Sequence, residues 1–541
     1  MSSLLVLLAI GALSLVYFST RKSSTKDGAK PLLKLPLIGD LHSSPIEKPL
    51  LNWDTWALQN GPIAVPKLFG LIPIVVLNTQ EAVTELFSKR SQWYSNRPAS
   101  VSMEMITGAE PGRSRFTLMH DYDDHLKLHH RILSPSLGAP AAGKYQPLME
   151  LEGKQLLFDL VTKLQSSKEG NGIISTDDIY PLLERTQSSV ILALHYGLRI
   201  PKFDNHTLHE IIDIQSKVTH LAGNPQLPDL MPFLRHLPAS LSPWQKAADE
   251  LFATQEDLYM RLFRYGRDSE GWNATKQAIA TAEKYAPENE PVSDLDLAFT
   301  LATSIQGGME TSPRQLLWLF IAALHDRSFL TKAHEVLDAV VGRDRLPCFA
   351  DRANLTYIDA VTHELFRWRP ISPGSIPRRA DSDDSFAGTN IKKGWTVIAN
   401  AWAIGRDEKV FDPTLGDIQK FIPSRWMKTD DQTGSQKLRS DLPLPVFGQG
   451  RRICQGKRVA TDGTFMQVAC LLWAFDIEPL EEGGEVDSWE MLVVGFMTMP
   501  KSRKFRLKPR GDWVVDVVKR TWEGAEKGVD IVMGGGRDVE K

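Results

Sequence analysis

The chain has 541 residues, 42 % hydrophobic and 24 % charged, with a formal net charge of −3. This is a globular composition, which excludes the disordered and fibrous classes, and the charge gives no support to a nucleic-acid partner. Cys348, Cys454 and Cys470 include no CxxC pair, so they are a poor disulfide framework, a poor cysteine-built zinc site, and suit a reducing compartment.

Residues Leu4 to Phe18 are apolar apart from Gly11 and Ser14, and Arg21, Lys22, Lys26 and Lys30 follow. A cleaved signal peptide would carry its positive charge ahead of the apolar run. The order found here predicts a retained membrane anchor over residues 1–20, with a lumenal N-terminus and a cytosolic body. In that topology the sequons at Asn205, Asn273 and Asn354 stay unmodified. A basic, proline-punctuated hinge is expected over residues 21–50, ending in PLLKLPLIGDLHSSP.

From about Trp53 to Phe320 the pattern is mostly helical. EAVTELFSKR, Glu81 to Arg90, is one helical stretch; another, Tyr145 to Gln165, repeats Leu148, Leu151, Leu157, Leu160, Val161 and Leu164 at helical spacing. From about Ser372 short strands take over, IKKGWTVIANAWAI being the clearest. A helix returns at Gln455 to Phe475, then strands at Gly495–Pro500 and Lys504–Arg510. The segment 511–541 is polar and glycine-rich, and is expected to be loosely ordered. The fold class is therefore mainly α with small β-sheets, without solenoid repeats.

Three stretches carry chemistry. FGQGRRICQG, Phe447 to Gly456, sets a cysteine on a glycine-rich loop just before a helix, where backbone N–H groups and the helix dipole favour a thiolate. Gly448, Gly450 and Gly456 suit close approach of a large flat group, and Arg452 suits a carboxylate. An isolated cysteine is more often buried and inert, and that reading stands for Cys348 and Cys470. In HELFRWRP, Glu364 and Arg367 share a helix face and can pair. In ATSIQGGMETSPRQLLWLF, an apolar helix is weakened by Gly307–Gly308 and by Pro313, next to Glu310–Thr311.

Together these stretches resemble the cytochrome P450 superfamily of the microsomal, class II type, in the style of fungal secondary-metabolism monooxygenases. The cysteine stretch fits F-x-x-G-x-R-x-C-x-G at Phe447, Gly450, Arg452, Cys454 and Gly456; the glycine stretch fits [AG]-G-x-[DE]-T-[TS]. The resemblance implies one catalytic domain over residues 51–510 after the anchor, holding haem b with Cys454 as the axial thiolate on iron. It implies Thr311 and Glu310 in dioxygen activation and proton relay. It adds Arg425 to Glu364 and Arg367 as a structural cluster, with Ser424 where the family usually has an acid. Arg378 and Arg452 are expected on the haem propionates. The family's W-R-x-x-R-[RK] segment corresponds to HLKLHHR, so His125 and His129 are expected there too, their charge making haem retention sensitive to pH. The walls of an apolar substrate pocket are expected to include Met309, Ile371, Phe496 and Met497; Arg113 and Arg115 read first as exposed loop arginines and second as contacts to an acidic substrate group.

The implied function is a monooxygenase using dioxygen and NADPH-derived electrons to hydroxylate or oxidatively cyclise an apolar alkaloid or polyketide. The implied partners are NADPH–cytochrome P450 reductase, met by a basic face at Lys457 and Arg458, and cytochrome b5. The implied location is the endoplasmic reticulum membrane. A haem-thiolate isomerase or dehydratase, and a non-catalytic haem-binding protein, are the alternatives; the intact Glu310–Thr311 pair favours the monooxygenase.

Overall fold

Long apolar periods make long helices here, and the most buried of them carry the site. The computed structural model describes residues 51–68, 72–110, 113–166, 172–224, 226–430, 434–480 and 490–533. Contacts divide the chain into a small unit, Met1–Ser43 with Lys67–Ile72, and a large one, Ser44–Pro66 with Pro73–Lys541. Of the small unit only the strand Lys67–Leu68 and Ile72 are described. The expected anchor, residues 1–20, and the whole of the expected hinge, residues 21–50, lie outside the described residues; among those described, no helix is long and apolar enough to cross a membrane.

The large unit is mainly helical. Helices Gln146–Ser166, Thr176–Tyr196, Pro243–Asp268, Asp294–Gly308, Thr311–His325, Thr356–Trp368 and Lys457–Ala474 contribute to one continuous apolar core. Thr311–His325 is buried on every face from Ser312 to Ala323, as expected of a helix that is apolar all round. Local chemistry sets the ends. Ser175 and Asp178 close a capping box at the start of Thr176–Tyr196, and Gly197 ends that helix in the left-handed conformation at φ 72°. Asn205 and Asn273 are N-caps, accepting from Leu208 N and Lys276 N, which gives two of the three sequons a structural use.

The strands form small sheets. In the largest, Ile63–Ala64, Ile72–Leu77, Thr396–Ala399 and Arg378–Arg379 lie in that order. Val75 pairs in parallel with Val397, and Arg378 pairs antiparallel with the same Val397. This seats Arg378 at the inner edge of a short strand. Glu81 to Arg90 is helical, but Thr84–Lys89 winds as a π-helix after an α-helical first turn.

Of the segment 511–541 expected to be loosely ordered, residues 534–541 lie outside the described residues, and the described part contains a helix. Asp512–Glu523 is a helix that buries Val514, Val517 and Val518 and sets Trp513 edge-on to Trp473 at 4.8 Å. Apolar residues three and four apart give it one core-facing stripe within a polar segment, and average polarity hides such a stripe.

Candidate active site

The cysteine loop is built backwards from its helix. Lys457–Ala474 begins after Gly456, and the N–H groups of Gly456 and Lys457 turn towards the Cys454 sulfur. Cys454 N donates to Phe447 O at 2.8 Å, closing the loop, and Phe447 is buried 5.0 Å from Phe366. Burial pushes the thiol up, while those two N–H groups and Lys457 pull it down. Cys454 is nevertheless exposed rather than packed against side chains. An added Cβ at Gly456 would lie 3.9 Å from this sulfur.

Gly450 has a different job from the one its motif suggested. Its φ is 67°, and an added Cβ would lie 2.0 Å from the Phe87 carbonyl oxygen. The glycine is required by close approach to the π-helical turn of its own chain, not to a flat ligand. By contrast Cys470 is buried beside Gly153, and desolvation pushes its thiol up to about 12, so it is an inert core residue.

Three guanidinium groups meet beside the loop. Arg452 donates to His120 O at 2.7 Å and Leu118 O at 2.9 Å; Arg378 donates to Tyr94 O at 3.2 Å and to Gln449 O. Arg97 donates to Leu118 O at 2.8 Å and Pro377 O at 2.7 Å. Burial and mutual repulsion hold Arg97 well below the usual guanidinium range and bring Arg378 down to about 9; burial brings Arg452 down to about 10. Asp121 is the carboxylate nearest to the group, accepting from Arg97 N and from Arg379. Such a buried cluster of like charge is a receptor for an anion. Arg97 was not legible as a site residue: in NRPAS it reads as a loop arginine, and only the fold brings it to Arg378.

The expected histidines are misplaced by one residue. His130, not His129, stands near Arg452 and Arg97; burial and then those arginines bring it down to about 4. His129 faces Thr300, whose hydroxyl already donates to Asp296 O at 2.7 Å. The His129 Nδ1 must therefore donate to Thr300, and its buried Nε2, without a partner among the described residues, is a bare acceptor. Burial pushes His129 down to about 3, so it is neutral and cannot donate from Nε2 to a carboxylate. His125 lies between His120 and His129, stacked on the first at 4.8 Å and tilted against the second at 4.2 Å, and no hydrogen bond joins it to the guanidinium group among the described residues. One residue is about 100° of helix rotation, enough to change faces. Counting back from Arg131 as the second basic position would have found His130. The expected pH sensitivity of haem retention loses its basis at His125 and His129.

The central helix breaks where its sequence is weak. Asp294–Gly308 ends, Met309 and Glu310 turn, and Thr311–His325 begins. The break puts Pro313 in the first turn of the second helix, where its missing N–H costs nothing. Gly308 packs tightly on Ile191, whereas an added Cβ on exposed Gly307 would meet no atom within 4 Å. Thr311 Oγ1 donates to Gly307 O at 2.6 Å. Glu310 is buried; it accepts from Thr219 at 3.1 Å and pairs with Arg314 at 3.3 Å.

Glu364 and Arg367 form a fully buried two-point pair at 2.6 and 2.7 Å. Glu364 also accepts from Ile422 N at 2.8 Å and Trp426 Nε1 at 2.9 Å. The third direct side-chain partner is thus Trp426. Arg425 lies within electrostatic reach of Glu364 but donates to the carbonyls of Asp412, Gly416 and Asp417.

Among the expected pocket residues, Met309, Ile371 and Met497 are buried and Phe496 is partly so. Thr498 N donates to Ile371 O at 2.8 Å, and Met499 Sδ accepts from Arg314, which ties that hairpin to the broken helix. Arg115 is spent on Asp296 at 2.9 Å and on the Thr107 and Gly108 carbonyls, so it is not a substrate contact. Arg458 is partly spent on Asp462 at 2.9 Å.

The cytochrome P450 family model matches residues 31–507. The chain is 31 % identical over 448 residues to cytochrome P450 monooxygenase criE of Aspergillus cristatus, covering 82 % of this chain and 77 % of that one. It is 28 % identical over 537 residues to cytochrome P450 monooxygenase aneD of Aspergillus aculeatus, covering 98 % and 97 %. A zebrafish cytochrome P450 solved with abiraterone shares the fold at TM-score 0.66 and 22 % identity, over 86 % of this chain and 99 % of that one. The chain belongs to the cytochrome P450 family and is an oxidoreductase of its monooxygenase kind.

Proposed function

We propose that the protein hydroxylates or oxidatively cyclises an apolar small molecule, a fungal secondary metabolite of the alkaloid or polyketide class. The electrons come from NADPH through a flavoprotein reductase, with cytochrome b5 as a further donor. A single-pass anchor over residues 1–20 holds the catalytic domain on the cytosolic face of the endoplasmic reticulum.

The observation that carries the reading is an exposed Cys454 on the same loop whose Arg452 and Gln449 carbonyl meet the buried guanidinium groups of Arg97 and Arg378. A haem fits this donor set: one soft thiolate for iron, and Arg97, Arg378 and Arg452 for two propionates. When bound, the haem supplies the one-electron and dioxygen chemistry that side chains lack. The protein's own part is specific. The Gly456 and Lys457 N–H groups favour the Cys454 thiolate. The guanidinium groups offset the propionate charge, and His130 stands beside them. The break at Met309–Glu310 leaves Gly307 open and sets the Thr311 hydroxyl at its edge, with Glu310 as the buried acid next to it. Met309, Ile371, Phe496 and Met497 offer an apolar wall.

The test is reconstitution of the full-length chain with a reductase, against extracts of a strain lacking the gene. The reading expects NADPH-dependent conversion of a compound with gain of one oxygen or loss of two hydrogens. Conversion that proceeds without NADPH would favour an isomerase or dehydratase.

A further inference from the structure

Behind Glu310 lies a buried group that the reading above does not use. Helix Thr176–Tyr196 carries Tyr180 and Glu184 one turn apart, and the Tyr180 hydroxyl donates to Glu184 at 2.9 Å. The Arg314 guanidinium stands 5.2 Å from the centre of the Tyr180 ring and pairs with Glu310 at 3.3 Å. Glu184, Glu310 and Arg314 are only 6, 5 and 7 % exposed.

The Glu310 carboxylate pairs with this guanidinium and the Glu184 carboxyl lies within its electrostatic reach, both acids being out of water. With both ionised, the group would carry an uncompensated buried charge. The stable arrangement keeps one proton between the two acids. Its place follows from the contacts. Glu310 has an ion pair and the Thr219 hydroxyl, both favouring the carboxylate; Glu184 has only a neutral phenol.

We propose that Glu184 holds this proton and thereby leaves the Glu310–Arg314 ion pair intact, making Glu184 a positioning residue for the acid–alcohol pair Glu310–Thr311. Burial, and to a smaller extent Glu310, raise the Glu184 carboxyl to about 7, while Tyr180 and Arg314 pull it down. Among the described residues, Glu310, Tyr180 and Arg314 are the titratable or charged groups that face it. The role, though not the geometry, rests on the proposed part of Glu310 and Thr311 in turnover.

The test is infrared difference spectroscopy of the full-length protein, titrated through neutral pH, which reads the carbonyl stretch of protonated carboxyl groups. The proposal expects a band that titrates near 7, is lost in Glu184→Gln, and moves to higher pH in Tyr180→Phe, which removes a donor to the carboxylate. A band that survives Glu184→Gln, or a wild type with no protonated buried acid below neutral pH, overturns it. If Glu184→Gln fails to fold, Tyr180→Phe decides, and an unmoved midpoint refutes the proposal. With reductase present, Glu184→Gln is also expected to change the pH profile of NADPH consumption at equal haem content; an unaltered profile refutes the positioning role. Failure of the monooxygenase reading would show separately, as absent turnover in a wild type whose infrared titration is intact.

Discussion

Replacing Arg378 with methionine should separate the protein's stability from its hold on haem. In the fold Arg378 falls from 12.5 to about 9, through burial first and Arg452 second. At ~1.4 kcal/mol per unit, holding it charged costs the fold roughly 5 kcal/mol. The sign is that of a base whose folded value is depressed. The cost is fully present at neutral pH and fades only as pH rises through about 9. Against it stand the hydrogen bonds to Tyr94 O and Gln449 O, and the stacking on Phe87 at 3.8 Å. Charged hydrogen bonds return about 1.5–3 kcal/mol each, so Arg378→Met should leave the haem-free protein within about 2 kcal/mol of wild type. With haem bound, the arginine's contact to a propionate is worth about 1.5–3 kcal/mol, or roughly 10–100-fold in affinity. The assay is paired thermal unfolding with and without haem, together with the rate of haem transfer to an excess of an apoglobin. Equal destabilisation of both forms, or an unchanged transfer rate, would refute the argument that the guanidinium cluster is an anion receptor.

Other perturbations probe the scaffold. Glu364→Gln leaves Arg367 charged and buried beside a neutral amide, and should cost about 3–5 kcal/mol in denaturant unfolding; a loss under 1 kcal/mol would show the pair to be dispensable. Gly450→Ala forces a Cβ to within 2.0 Å of the Phe87 oxygen at a φ of 67°, so a loss above about 3 kcal/mol is expected in the same assay. Ending the chain after Gly511 removes Val514, Val517 and Val518 from the core, worth roughly 5 kcal/mol, and an unchanged melting temperature would show the tail helix to be ornamental.

Local pattern made the helices, the strand region and the cysteine loop legible. Leucines at helical spacing announced Gln146–Ser166, and two glycines with a proline announced the break at Met309–Glu310. What stayed hidden depended on phase or on distance in the chain. His130 was missed because a helix face turns by about 100° with each residue, and nothing local marks which histidine faces Arg452. Arg97 was missed because its partners come from segments around residues 378 and 452. Tyr180 and Glu184 read as ordinary helix residues until Arg314 is brought beside them. Gly450 was right in identity and wrong in reason: the motif preserves a glycine that the fold spends on Phe87. The tail helix was lost to averaging, since a polar mean can coexist with a buried stripe.

The most direct measurement is the carbon monoxide difference spectrum of the reduced full-length protein, for wild type and for Cys454→Ala expressed side by side. The account predicts the long-wavelength Soret band of thiolate-ligated haem in the wild type and its absence in the variant. The same band in Cys454→Ala would contradict the assignment of Cys454 as the axial ligand.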